Sequence, residues 1–132
     1  MSDASDQLAG FRSKLEEDPT DVDALIGLAS LDPRPEYRAT MWQRAANATD
    51  DVDQKAEAYC GLGNSLAAID RGKAIQAYTE ALRLVQGAPQ VEEEGMKIRA
   101  EYIHTLELYI LLCQNQTPDQ LQLMNWLPRP LG

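Results

Sequence analysis

Apolar residues along this chain recur every three or four positions, and almost nowhere in strict alternation. That spacing places them on one face of a helix and predicts an all-α fold. Leu8, Phe11 and Leu15 form a stripe on a first helix from about Ser5 to Glu17. A second helix runs from about Asp21 to Leu31, with Asp21 and Asp23 placed to favour its positive end. Pro35 suits the first turn of a third helix, which carries Met41 and Trp42 and ends near Ala48. Thr49 to Asp53 supply the cap and first-turn acids of a fourth helix reaching about Ile69. A fifth covers about Gly72 to Gln86 and a sixth about Gln90 to Cys113. Thr117-Pro118-Asp119-Gln120 has the residue order of a helix start, so a seventh helix is expected with Leu121, Met124, Trp126 and Leu127. Pro128-Arg129-Pro130 then reads as an extended tail.

Residues 59 to 81 hold the densest pattern. Tyr59, Leu62 and Leu66 share a face with Gly63, and Ala74, Tyr78 and Ala81 follow on the next helix. A glycine inside a helix costs about 1 kcal/mol relative to alanine. Its expected return is close approach of a neighbouring helix, although Gly61 and Gly63 could instead mark a loop. Trp42 is expected in the core rather than at a ligand platform.

Tyr59-x2-Leu62-Gly63-x2-Leu66, then Ala74-x3-Tyr78-x2-Ala81 and a later Pro89, resembles a tetratricopeptide repeat. Leu66 stands in place of the usual aromatic, the turn before Ala74 is about one residue short, and Pro89 falls late. Leu25, Leu28 and Ala29 lie 34 residues before Tyr59, Leu62 and Gly63, and Trp42-x2-Ala45 mirrors Tyr78-x2-Ala81. Asp18-Pro19 precedes that first unit as the closing pair of a repeat would. Its Asp32 replaces an apolar residue, and the turn Asp32-Pro33-Arg34-Pro35 is unusual. The resemblance implies antiparallel hairpins in a right-handed superhelix of about three irregular repeats. Residues 1–127 would form one domain: a half-repeat at about 5–19, repeats at about 21–48 and 51–87, and a lengthened, degenerate third repeat with a cap helix at about 90–127. Tyr102, Leu106 and Tyr109 would mark that third unit, and 128–132 the tail.

Composition narrows the function. The chain has 132 residues, is 44% hydrophobic and 25% charged, and carries a net charge of −9. Acidic groups gather at 16–23, 50–53 and 92–94, which disfavours phosphate backbones and anionic lipid. Neither a nucleic-acid partner nor membrane insertion is expected, since the longest purely apolar run, Tyr109 to Cys113, is far shorter than a bilayer span. His104 is the sole histidine, and Cys60 and Cys113 lack metal-ligand spacing, so no metal and no cofactor are expected. His104 and Cys113 stand too far apart along one helix to pair, which leaves Cys60 with His104 as the one open nucleophile pair. Gly61-Leu62-Gly63 lacks the third glycine and the preceding strand of a phosphate loop. Two thiols without a pairing pattern, and no N-terminal leader pattern, suggest a reducing, cytoplasmic setting.

The expected function is therefore a non-catalytic interaction module, an adaptor, scaffold or chaperone-like protein that holds a peptide or helix of a protein partner. The resemblance implies a concave groove lined by Asp23, Ile26, Ser30, Glu57, Cys60, Asn64, Ala67, Ile103 and Glu107, with Ala100 and Ile110 beside them. In the family, an asparagine at the position of Asn64 holds a peptide backbone or carboxylate. The basic partners of a carboxylate clamp are missing from this lining, so a basic or apolar segment is expected rather than an acidic C-terminal tail. The alternative is a structural subunit that packs against copies of itself or within a larger assembly.

Overall fold

A computed structural model describes residues 4–87 and 93–115, and every regular element among them is helical. The helices are α1 (Ala4–Glu17), α2 (Val22–Leu31), α3 (Pro35–Ala48), α4 (Val52–Leu66), α5 (Arg71–Gly87) and α6 (Glu93–Asn115). Each packs against the next in sequence, so the chain advances as a succession of antiparallel neighbours. The expected seventh helix and the tail after it lie outside the described residues.

The helix starts follow from short polar side chains. Asp21 Oδ1 accepts from the Ala24 amide at 3.1 Å, and Asp51 Oδ1 from the Gln54 amide at 2.9 Å. Asp70 Oδ1 accepts from the Lys73 amide at 3.1 Å. Each bond satisfies one of the amides that a helix start leaves without an internal partner. Pro35 opens α3 from a first-turn position, as its fixed φ and missing N–H favour. Thr49 serves the junction of α3 and α4 from both sides. It closes α3 as C-cap, and its Oγ1 donates to Gln54 Oε1 at 2.6 Å.

α4 is the centre of the fold. One side joins α1, α2, α3 and α5 in a cluster with Leu25, Leu28, Trp42, Ala45, Ala58 and Leu62 at its heart. The other joins α5 and α6 through Ala56, Cys60, Tyr78, Tyr102, Leu106 and Cys113. Tyr59 and Leu66 touch both clusters. Gly61 and Gly63 sit within α4, not in a loop, and let two aromatic rings lie on its backbone. A Cβ on Gly63 would fall 2.5 Å from Tyr78 Cε1 on α5, and one on Gly61 would overlap the Trp42 indole on α3. Gly27 does the same for Phe11, which closes α1 onto α2.

Asp32 departs from the expected apolar position for a structural reason. Its side chain is buried, yet its carboxylate accepts from the Arg34 amide at 2.9 Å, from Arg34 Nε at 3.0 Å and from Arg34 Nη2 at 2.8 Å. Arg12 of α1 stands 3.8 Å away, and buried Arg38 donates to the Asp32 carbonyl at 3.3 Å. The carboxylate thus folds the two-proline turn around itself and ties it to α1. The Arg34 hydrogen bonds hold its pKa below the ordinary Asp value of 3.8. Folding therefore favours the charged form. The stabilisation is present in full above that ordinary value and fades as pH falls through the lower folded value. Asp32→Ala should cost about 0.5–1.5 kcal/mol at neutral pH, from the lost hydrogen bonds that the exposed Arg34 side chain and its amide make to the carboxylate. Urea unfolding at pH 7 and in the acid range checks it, and the gap between variant and parent should narrow in acid.

Candidate functional site

An open groove of about 590 Å³ crosses α3, α4 and α5. Its floor is a stripe of α4, half-buried Tyr59 and Leu66 with buried Leu62 between them, one helical turn or two apart. Its walls are Ala39, Thr40, Gln43 and Arg44 of α3, facing Lys73, Gln76 and Ala77 of α5. The trough exists because Ala39 and Ala77 end at a methyl group where the flanking helices meet the floor. A larger side chain at either place would fill it. The volume lies within the range of about 300–1,000 Å³ common for small-molecule clefts.

The charge of this groove is opposite to that of the chain. Its formally charged lining residues are Arg44 and Lys73, in a protein of net charge −9. Arg44 Nη2 donates to the Pro19 carbonyl at 3.0 Å, which fixes the guanidinium near the wall. Lys73 is exposed on the opposite wall, next to the start of α5. An apolar floor between two cations can accept an apolar side chain with a carboxylate beside it.

The structure places the expected groove residues differently from one another. Asp23 and Glu107 are exposed; Ile26, Ser30, Glu57 and Ile103 are half-buried. Ala100 is exposed and Ile110 half-buried. Cys60, Asn64 and Ala67 are buried at 0%, 3% and 1% exposure, so they pack against the protein itself. Asn64 Oδ1 accepts from the Tyr78 hydroxyl at 2.5 Å, an internal bond between α4 and α5. The face of α4 that carries Cys60 and Asn64 is covered by α5 and α6. Leu62 is buried in the core cluster, with Tyr59 and Leu66 packed against it, and the same three side chains floor the open groove.

No nucleophile pair forms at Cys60. That thiol is fully buried, whereas His104 is exposed on the side of α6 opposite its buried Tyr102, Leu106 and Cys113 stripe. Burial pushes the Cys113 thiol up to about 11, so it is almost wholly protonated and a poor nucleophile near neutral pH. Among the described residues, no three His, Cys, Asp or Glu side chains converge on a point that could hold a metal ion. None of the described helices is long and apolar enough to cross a membrane.

No protein-family model, curated protein or solved structure matches the chain.

Proposed function

We propose that the chain is a non-catalytic protein-interaction module, built as a tetratricopeptide-like right-handed superhelix of about three irregular repeats. Its working surface is the groove across α3, α4 and α5. A partner segment places an apolar side chain over Tyr59, Leu62 and Leu66 and sets a carboxylate between Arg44 and Lys73. The observation that carries this proposal is the groove itself, an open apolar trough with a cationic rim on a strongly acidic protein. The superhelix is supported by the sequential packing of the helices and by the aromatic rings seated on Gly61 and Gly63. The buried thiols and the separated His104 favour binding over catalysis.

Selection from a displayed random-peptide library tests it. Peptides enriched on the native protein should pair large apolar residues with Asp or Glu. A charge-reversed Arg44→Glu/Lys73→Glu variant should lose them, with a drop in affinity of at least tenfold, about 1.4 kcal/mol. Fluorescence polarisation reads that drop, and rising salt should weaken the native complex. Enrichment of basic peptides, or indifference to the reversal, removes the groove as the site. The acidic residues Asp23, Glu57 and Glu107 support a second reading, a basic or apolar segment bound by them, because Asp23 and Glu107 are exposed. Glu57→Lys separates the two, since it lies outside the α3–α5 groove.

A further inference from the structure

The turn between α1 and α2 bears on the groove without lining it. Arg44 of the α3 wall and Pro19 of that turn stand 25 residues apart in sequence, and the 3.0 Å bond from Arg44 Nη2 to the Pro19 carbonyl joins them. Neither Asp18, Pro19 nor Thr20 lines the groove itself.

The direction of that carbonyl is set from its other side. The Pro19 C=O and the Thr20 N–H belong to one rigid trans peptide plane and point opposite ways. The Thr20 amide donates to Asp18 Oδ1 at 3.0 Å, and the Thr20 hydroxyl donates to the same oxygen at 2.8 Å. The Asp21 amide donates to the Asp18 carbonyl at 3.1 Å, which closes the turn. With the Thr20 N–H drawn to Asp18, the Pro19 C=O is turned away from it, and Arg44 meets it there. Flipping the plane would give the type II turn, with Thr20 at positive φ. A β-branched residue resists that conformation, and no described non-glycine residue adopts it. The ring of Pro19 fixes its own φ. Asp18 is exposed, and its bonds with the Thr20 amide and hydroxyl hold its carboxyl below the ordinary Asp value of 3.8. The acceptor is therefore charged at neutral pH.

Arg44 is half-buried, with Nη1 3.9 Å from Met41 Sδ besides the bond to Pro19. Its guanidinium carries more N–H donors than these two contacts use. It can keep the carbonyl and still give donors to a carboxylate in the groove. A long side chain already held in place loses less freedom when a ligand arrives. We propose that Asp18 is a positioning residue of the groove. Through the Pro19–Thr20 peptide it holds Arg44 in place for a ligand carboxylate, so the α1–α2 turn sets the affinity for acidic segments. The inference rests on the reading that an acidic, apolar segment occupies the groove.

Fluorescence polarisation on the full chain tests it, with a fluorescein-labelled acidic peptide enriched on the native protein as probe. Asp18→Ala should weaken binding about three- to tenfold, the cost of one long side chain left to be ordered by the ligand. Charge alone predicts the opposite sign, because this variant removes a negative charge from a protein that binds an anion. Asp18→Asn keeps an acceptor oxygen for the turn and should bind at least as tightly as the native chain. Without ligand, the Arg44 Nε–Hε signal, assigned by its absence in Arg44→Lys, should show a lower ¹⁵N heteronuclear NOE in Asp18→Ala and the native value in Asp18→Asn. Unchanged or tighter binding by Asp18→Ala, an equal loss in Asp18→Asn, or an unchanged NOE overturns the proposal. The groove reading survives any of these as long as Arg44→Glu/Lys73→Glu still loses the peptide. If that charge-reversed variant binds as the native chain does, the groove reading falls and the proposal falls with it.

Discussion

Trp42→Ala should lower the unfolding free energy by about 3–5 kcal/mol, the usual loss for a large aromatic removed from a core. Trp42 has no exposed surface, and its indole lies on the α4 backbone at Gly61 while α3 contributes the rest of that layer. Truncation leaves a space that cannot close simply, because the facing residue is a glycine with no side chain to swing in. The cavity term therefore adds fully to the lost transfer energy. Small domains have about 5–15 kcal/mol in all, so the variant should be close to unfolding at physiological temperature. A lower urea midpoint at unchanged slope checks it. A loss below about 1 kcal/mol would show that α3 does not rest on α4 as described.

Much of this architecture was legible because helical period, caps and breakers are local. Pro35, Asp51 and Asp70 mark boundaries through chemistry confined to four or five residues. Gly63 as a close-contact position was legible too, since a mid-helix glycine needs a packing reason. Its partner at Gly61 was not, because nothing in the spacing tells which neighbour faces which glycine. Asp32 looked like a flaw in a repeat until the three Arg34 donors were in view. The candidate site was the least legible. α4 offers small or apolar residues on nearly every side, and only tertiary packing decides which side is covered. α5 and α6 cover Cys60 and Asn64, and leave Tyr59 and Leu66 partly open on either side of buried Leu62.

The two glycines of α4 give the other large effect, and its sign is opposite to helix propensity. Alanine is favoured over glycine by about 1 kcal/mol inside a helix. Gly10, in α1 with open space around it, should follow that rule, so Gly10→Ala stabilises by roughly this amount. Gly61→Ala and Gly63→Ala should instead each destabilise by about 1–3 kcal/mol, and the pair by more, through overpacking. The methyl groups would meet ring carbons of Trp42 and Tyr78, which are buried and held by helices on both flanks. The cause can be isolated by coupling. Trp42→Leu removes the ring that Gly61→Ala strikes, so the double variant should lose less than the sum of the two single losses. Tyr78→Phe, by contrast, removes only the hydroxyl bonded to Asn64 and leaves Cδ1 and Cε1 in place. It should give Gly63→Ala no rescue, only the further cost of the lost Tyr78–Asn64 hydrogen bond. Additive losses for Gly61 with Trp42, or rescue by Tyr78→Phe, would mean that the rings do not lie against α4. The sandwich of α3, α4 and α5 that shapes the groove would then fall with them.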